Sequence, residues 1–220
     1  LFEGNDFGVT AREVAVGGQL LSVRGLAGEY PELYLPLHGA HQAQNTAVAI
    51  AAVEAFLGGG EQPIDLEVLL AGLAAARSPG RLEVVRRSPT VLVDAAHNPA
   101  GALVLREALR DSFTFSRLVG VIAILKDKDA AEMLEILEPV LDEVVITKTT
   151  SPRAMSPREL GELAEEIFGE HRVSVLPELP EALDRAAELA DEGGVSGGVV
   201  ATGSVTTAAE VRMLLGHTES

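Results

Sequence analysis

Residues 81–220 predict an α/β domain with a mostly parallel sheet of six strands and helices on both faces, preceded by a segment of different character. Three observations predict it. Short apolar runs of strand length alternate with helical patterns, the helices begin with capping chemistry, and Ser78-Pro79-Gly80 punctuates the chain just before the alternation starts.

The opening 37 residues alternate apolar and polar positions in short runs, with Arg12–Val16 and Gln19–Val23 flanking Gly17-Gly18, a hairpin signal for antiparallel strand. From Gln42 to Phe56 the period changes. Asn45, Ala49, Val53 and Phe56 fall at helical spacing, and Gly58-Gly59-Gly60 closes that helix. A second helix is expected from about Asp65 to Ala76. Proline then disfavours helix before it and glycine frees the backbone after it, so the domain boundary is placed there, giving segments 1–77 and 81–220.

Within the second segment, strands are read at 82–86, 91–94, 118–124, 143–147, 173–176 and 198–202, with five helices between or after them. Asn98-Pro99 supplies an N-cap and a first-turn proline, and Ser156-Pro157-Arg158-Glu159 is a capping box. Alternation of this kind implies parallel strands buried on both faces. The first two strands are separated only by Arg87-Ser88-Pro89, a hairpin spacing, so one antiparallel edge strand is expected.

Composition limits the function classes. The net charge of −16 sets the molecular field against nucleic acid, anionic lipid and anionic small molecules, so any phosphate site must be assembled locally. No apolar run reaches the roughly 20 residues of a membrane span. The absence of cysteine excludes disulfides and thiolate metal sites, and the expected compartment is the cytoplasm. The chain opens on Leu-Phe-Glu-Gly without an initiator methionine, which reads as a start inside a longer gene.

Ligands in open α/β sheets bind beyond the carboxyl ends of the strands. Placed there are Asp94-Ala95-Ala96-His97-Asn98, Lys126-Asp127-Lys128-Asp129, Lys148 with Arg153 near it, and Thr202-Gly203-Ser204. These loops hold all three lysines of the chain, a local source of positive charge. Asp94 ends an apolar strand and suits a sugar hydroxyl pair or, equally, a loop brace. His97 faces either a phosphate or Asp94. Asn45, with donor and acceptor, suits the edge of an adenine ring. His38 and His41 lack a third ligand and a zincin-type Glu, so no metal site is assigned to this chain. There is no Gly-x-x-x-x-Gly-Lys-Ser/Thr loop and no Gly-x-Gly-x-x-Gly after a strand.

Taken together, Leu37-His38-Gly39-Ala40-His41-Gln42-Ala43-Gln44-Asn45, Ser78-Pro79-Gly80-Arg81-Leu82-Glu83 and Asp94-Ala95-Ala96-His97-Asn98-Pro99-Ala100-Gly101 resemble folylpolyglutamate synthase, often bifunctional with dihydrofolate synthase, of the Mur ligase superfamily. Gly120-Val121 leading to Asp127-Lys128-Asp129, and Thr202-Gly203-Ser204 leading to Glu210-Val211-Arg212, extend the resemblance over essentially the whole chain. It implies an ATP-dependent ligase about twice this length, in which a Rossmann-like C-terminal domain (81–220) closes over a central ATPase domain, of which 1–77 is the remnant carrying strands and two helices. The phosphate-binding loop and magnesium ligands would lie in the absent N-terminal part, so the isolated chain is expected to be inactive.

Carried over by position, Asn45 would contact adenine, Arg81 the ATP at the domain junction and Asp94 the ribose, while His97 would stand near the phosphates as the catalytic candidate. Lys126, Lys128 and Ser204 are inferred to face the incoming glutamate or a phosphate. The implied cofactors are ATP and magnesium; the implied partners are glutamate, folate or dihydropteroate and the missing ATPase domain, with neither nucleic acid nor membrane. A different amino-acid ligase of the same superfamily and a non-catalytic nucleotide-binding module are the alternatives.

Overall fold

A computed structural model describes residues 2–217. The chain divides into two compact units, Leu1–Ser78 and Pro79–Ser220.

The first unit is a three-stranded antiparallel meander, β1 (Gly8–Ala15), β2 (Gly18–Arg24) and β3 (Glu29–Leu35), followed by helices α1 (Ala40–Gly58) and α2 (Leu66–Ala74). Its core joins Leu21, Val23, Leu33 and Leu35 of the sheet to Ala43, Ala47, Ile50 and Ala51 of α1 and Leu69 of α2. The helical stripe Asn45, Ala49, Val53 and Phe56 that marks α1 in the sequence lies on its exposed side, with Phe56 87 % exposed. The buried side carries Ala43, Ala47, Ile50 and Ala51 together with Gln42, Thr46 and Glu54, and Glu54 organises the residues around it. Its carboxylate, 1 % exposed, accepts from the amides of Leu26 and Gly28 and from the Tyr30 hydroxyl at 2.6 Å. Tyr30 in turn accepts from the Ile64 amide at 2.7 Å, which ties the β2–β3 turn, α1 and the approach to α2 into one network. Burial, then the bond to Glu54, push the Tyr30 phenol above its ordinary pKa.

Replacing Tyr30 with phenylalanine removes one donor and one acceptor from this network. We expect hydrogen exchange at the Ile64 amide to accelerate about tenfold, which corresponds to ~1.4 kcal/mol of local opening. Unchanged protection by NMR would remove Tyr30 from the network's energetics.

The second unit is a six-stranded sheet in the order β4-β5-β9-β6-β7-β8, formed by β4 (Glu83–Arg87), β5 (Thr90–Val93), β6 (Arg117–Ile122), β7 (Glu143–Ile146), β8 (Val173–Val175) and β9 (Gly197–Thr202). All pairs are parallel except β4 with β5, so the single antiparallel strand sits at the edge, as the hairpin spacing predicts. Successive strand residues point to opposite faces. Leu92, Ile122, Val144 and Val200 therefore pack on α3 (Pro99–Ser112), α4 (Ala130–Leu137) and α5 (Pro157–Phe168). Val91, Val93, Val121 and Val199 pack on α6 (Leu179–Asp191) and α7 (Val205–Leu214) on the other face.

The caps read from the sequence form. Asn98 Oδ1 accepts from the Gly101 amide at 2.8 Å and Ser156 Oγ from the Glu159 amide at 3.2 Å. Strand boundaries move by one or two residues, and one move has a local cause. Leu82 has φ 45°, outside extended backbone, so β4 begins at Glu83 rather than at Leu82.

Strand order positions the site. The chain runs outward from β5 over α3 to β6, β7 and β8, then returns beneath the sheet through α6 to insert β9 between β5 and β6. The direction of winding reverses at that insertion, the place where open α/β sheets ordinarily bind their ligands.

Candidate functional site

Three loops meet at the reversal point because hydrogen bonds to backbone carbonyls stitch them together. Gly203 N–H donates to the Ala96 carbonyl at 3.2 Å, Ala123 N–H to the Thr202 carbonyl at 3.2 Å, and Thr207 Oγ1 to the Ala123 carbonyl at 3.0 Å. Gly203 has φ 107°, and a Cβ there would stand 2.6 Å from the Ala123 carbonyl oxygen, so only glycine permits this approach. The loops carrying Asp94 and His97, Lys126 and Lys128, and Ser204 thus share one edge of the second unit. Asn45 belongs to the first unit, on the exposed side of α1, where its Nδ2 donates to Gln42 Oε1 at 3.2 Å.

Asp94 is 8 % exposed, and its two oxygens already accept backbone bonds: Oδ2 from Leu82 N–H and Oδ1 from Ala96 N–H, both at 2.8 Å. The loop brace foreseen as one reading of this residue is therefore present. A carboxylate has about four acceptor positions, so two amide bonds leave capacity for a hydroxyl. Burial pushes the Asp94 carboxyl above its usual range, while the Ala96 and Leu82 amides and the positive charge of Arg81 oppose that rise. Arg81 itself is exposed, on a turn between Gly80 at φ 71° and Leu82. Glu83, which sequence reading did not single out, shapes this turn by accepting from Gly80 N–H at 2.7 Å and lying 2.8 Å from Arg212 Nε. Both residues stand in segments that carry the resemblance, but their pairing has no local signal, because Arg212 lies 129 positions further along the chain.

His97 does not pair with Asp94. Its Nδ1 lies 2.9 Å from the Ala95 carbonyl, which can only accept, so Nδ1 carries a proton and Nε2 is the ring nitrogen left for a ligand. Ser204 is 1 % exposed, caps α7 by accepting from Thr207 N–H at 3.0 Å, and exchanges a 2.7 Å bond with the Thr207 hydroxyl. Its hydroxyl is thereby occupied in structure. Lys128 Nζ is 3.2 Å from Asp127, which also binds Arg153 at 2.7 Å, so part of the positive charge on this edge is neutralised within its own loop. The Arg153 bond, then that from Lys128, hold the Asp127 carboxyl below its usual range. Lys126 is exposed, and its amide donates to the Arg153 carbonyl at 2.9 Å.

Among the described residues no group of three or more His, Asp or Glu side chains is placed to hold a metal ion. No helix is long and apolar enough to cross a membrane among those residues.

A family model for the Mur ligase glutamate ligase domain matches residues 80–205. Dihydrofolate synthase/folylpolyglutamate synthase of Mycobacterium tuberculosis is 48 % identical over 226 residues, covering 98 % of this chain and 46 % of that protein. The structure of M. tuberculosis folylpolyglutamate synthase complexed with ADP superposes with a TM-score of 0.93 at 47 % identity, over 99 % of this chain and 49 % of that one. Escherichia coli FolC in complex with DHPP and ADP superposes at 0.80 with 25 % identity, over 97 % and 46 %. The chain spans about half the length of these relatives.

Proposed function

Because the chain belongs to the Mur ligase glutamate ligase domain family, we propose that it forms the nucleotide-clamping half of an ATP-dependent ligase that adds L-glutamate to a folate, to dihydropteroate, or to both. The observation that supports this reading is the sheet edge where β9 enters between β5 and β6, at which the Gly203 amide bonds the Ala96 carbonyl and so draws the 94–97 and 202–204 loops together, with the charge of Arg81 acting on Asp94. It is supported by the similarity, over nearly the whole chain, to an enzyme whose structure was determined with ADP.

A carboxylate is a poor acyl donor, since its leaving group would be an oxide ion. In the proposed reaction a carboxylate oxygen of the folate or pteroate attacks the γ-phosphorus of ATP, ADP departs, and the acyl phosphate is attacked by the glutamate amine. Phosphate leaves with the acyl–oxygen bond, and the amine loses a proton as the amide forms. Phosphoryl transfer of this kind is accelerated chiefly by positioning and by charge stabilisation.

The roles proposed for this chain's residues come from the resemblance, and the geometry supports them only in part. Asp94, held at fixed orientation by two amides, accepts from ribose hydroxyls, and Arg81 presents its guanidinium fork to the nucleotide. His97 offers Nε2, the ring nitrogen not bonded to Ala95, to a phosphate oxygen. Lys126 carries the exposed charge toward the anionic glutamate or phosphate, whereas Lys128 and Ser204 act chiefly as loop and helix supports. Magnesium, when bound with ATP, would offset the phosphate charge.

In a form extended to the full length of the relatives, ATP-dependent incorporation of radiolabelled glutamate into tetrahydrofolate or dihydropteroate is expected, and none in the 220-residue chain by itself. Incorporation into a muramyl nucleotide but into neither pterin acceptor would reassign the substrate. Turnover by the short chain would overturn the division of labour.

A further inference from the structure

Helix α7 ties three loops at the carboxyl edge of the second unit, each through a different side chain. Thr207 Oγ1 donates to the Ala123 carbonyl after β6 at 3.0 Å. Glu210 holds the loop after β7, accepting from the Thr150 amide at 3.0 Å and from its hydroxyl at 2.6 Å. Arg212 Nε stands 2.8 Å from Glu83 Oε2, the same oxygen that accepts from Gly80 N–H at 2.7 Å. Ala208 backs that turn as well, since a Cβ on Gly80 would lie 3.4 Å from the Ala208 side chain.

The turn so held is strained. Leu82 has φ 45°, a left-handed conformation that residues with a Cβ avoid and that persists only where the surroundings over-determine it. Those surroundings can be named. The Leu82 side chain is buried in the core and its amide donates to Asp94, while the Gly80 carbonyl accepts from Ala95 N–H and the Gly80 amide donates to Glu83. Arg81, between the two held residues, is left exposed. Asp94 is fixed by two amides, but the Glu83 carboxylate sits on a side chain with several free torsions, so its hold on Gly80 depends on what orients it. The ion pair with Arg212 supplies that orientation. Its side chains are 16 % and 24 % exposed, so salt screens it less than a surface pair.

Granted the nucleotide role proposed for Arg81, on which this rests, we propose that Arg212 is a positioning residue for nucleotide binding: by orienting Glu83 it keeps the Gly80–Leu82 turn in the strained form that displays Arg81.

Two measurements test it. In the 220-residue chain, Arg212→Gln should speed hydrogen exchange at the Gly80 amide about tenfold, with Arg212→Lys, which keeps the charge, falling between it and the natural residue. In a form extended to the full length of the relatives, Arg212→Gln should raise the Michaelis constant for ATP about fivefold, but should raise it no further once Arg81 is alanine. That non-additivity marks action through Arg81, because a general loss of stability would raise the constant in both backgrounds. Should the glutamine variant not fold, Glu83→Gln, which keeps an acceptor for Gly80 but loses the charge pairing, enters the same cycle with the same expectations. Unchanged Gly80 exchange, or an equal rise with and without Arg81, would overturn the proposal. A raised constant in Arg81→Ala with none in Arg212→Gln would overturn it alone, whereas an unchanged constant in Arg81→Ala would take the nucleotide role of Arg81 down with it.

Discussion

Asp94→Ala is expected to destabilise the second unit by about 2–5 kcal/mol, from two buried amides left without acceptors at ~1–3 kcal/mol each. The amides are those of Leu82 and Ala96, and both are bonded to Asp94 at 2.8 Å. Some of the loss is returned, because the carboxylate is itself penalised by burial, as its raised pKa records. Asparagine keeps one acceptor oxygen but turns an NH₂ group toward the second amide, so Asp94→Asn should fall between alanine and the natural residue. Urea denaturation of the chain, followed by a probe in the second unit, measures the difference. A loss below 0.5 kcal/mol, the ordinary range for surface substitutions, would show that the two amides find other partners. The consequence for function is direct: lost nucleotide binding in an Asp94 variant mixes a missing ligand contact with a loosened 80–82 turn.

Arg81→Ala separates these two effects. Arg81 is exposed and its side chain donates no hydrogen bond among the described residues, and the turn depends instead on Glu83 and Asp94. Stability should therefore change by no more than about 0.5 kcal/mol. In the full-length enzyme the Michaelis constant for ATP should nevertheless rise about tenfold or more, the scale of one charge-assisted contact to phosphate. Arg81→Lys keeps the charge but not the planar fork, so a partial recovery is expected. Unchanged ATP kinetics in the alanine variant, with folding intact, would remove Arg81 from the nucleotide site.

The two substitutions also bear on how the site is built. Asp94, Leu82 and Gly80 form a single braced turn, since Ala95 N–H donates to the Gly80 carbonyl at 2.8 Å while Asp94 holds Leu82. A ligand group carried by Arg81 is therefore displayed from a backbone fixed at both ends, which reduces the ordering cost on binding.

By itself the sequence determined the alternating elements, the antiparallel edge, the helix starts at Asn98 and Ser156 and the loops that carry the candidate chemistry, because periodicity, capping and glycine–proline punctuation act over only a few residues. Tertiary structure alone decided which of those loops meet. Insertion of β9 between β5 and β6 brings residues 94–97, 123–129 and 202–204 to one edge of the sheet, and no short-range pattern encodes a partner about 100 positions away. It also decided which polar side chains are already engaged. Ser204 and Lys128 looked free in sequence, yet one caps α7 and the other pairs with Asp127. Glu54, hidden in an alanine-rich helix, became the buried acceptor of the first unit only when the turn at 26–30 folded onto it. Local pattern fixes backbone conformation, whereas the partner of a hydrogen-bonding group is set by whatever the fold carries to within about 3 Å.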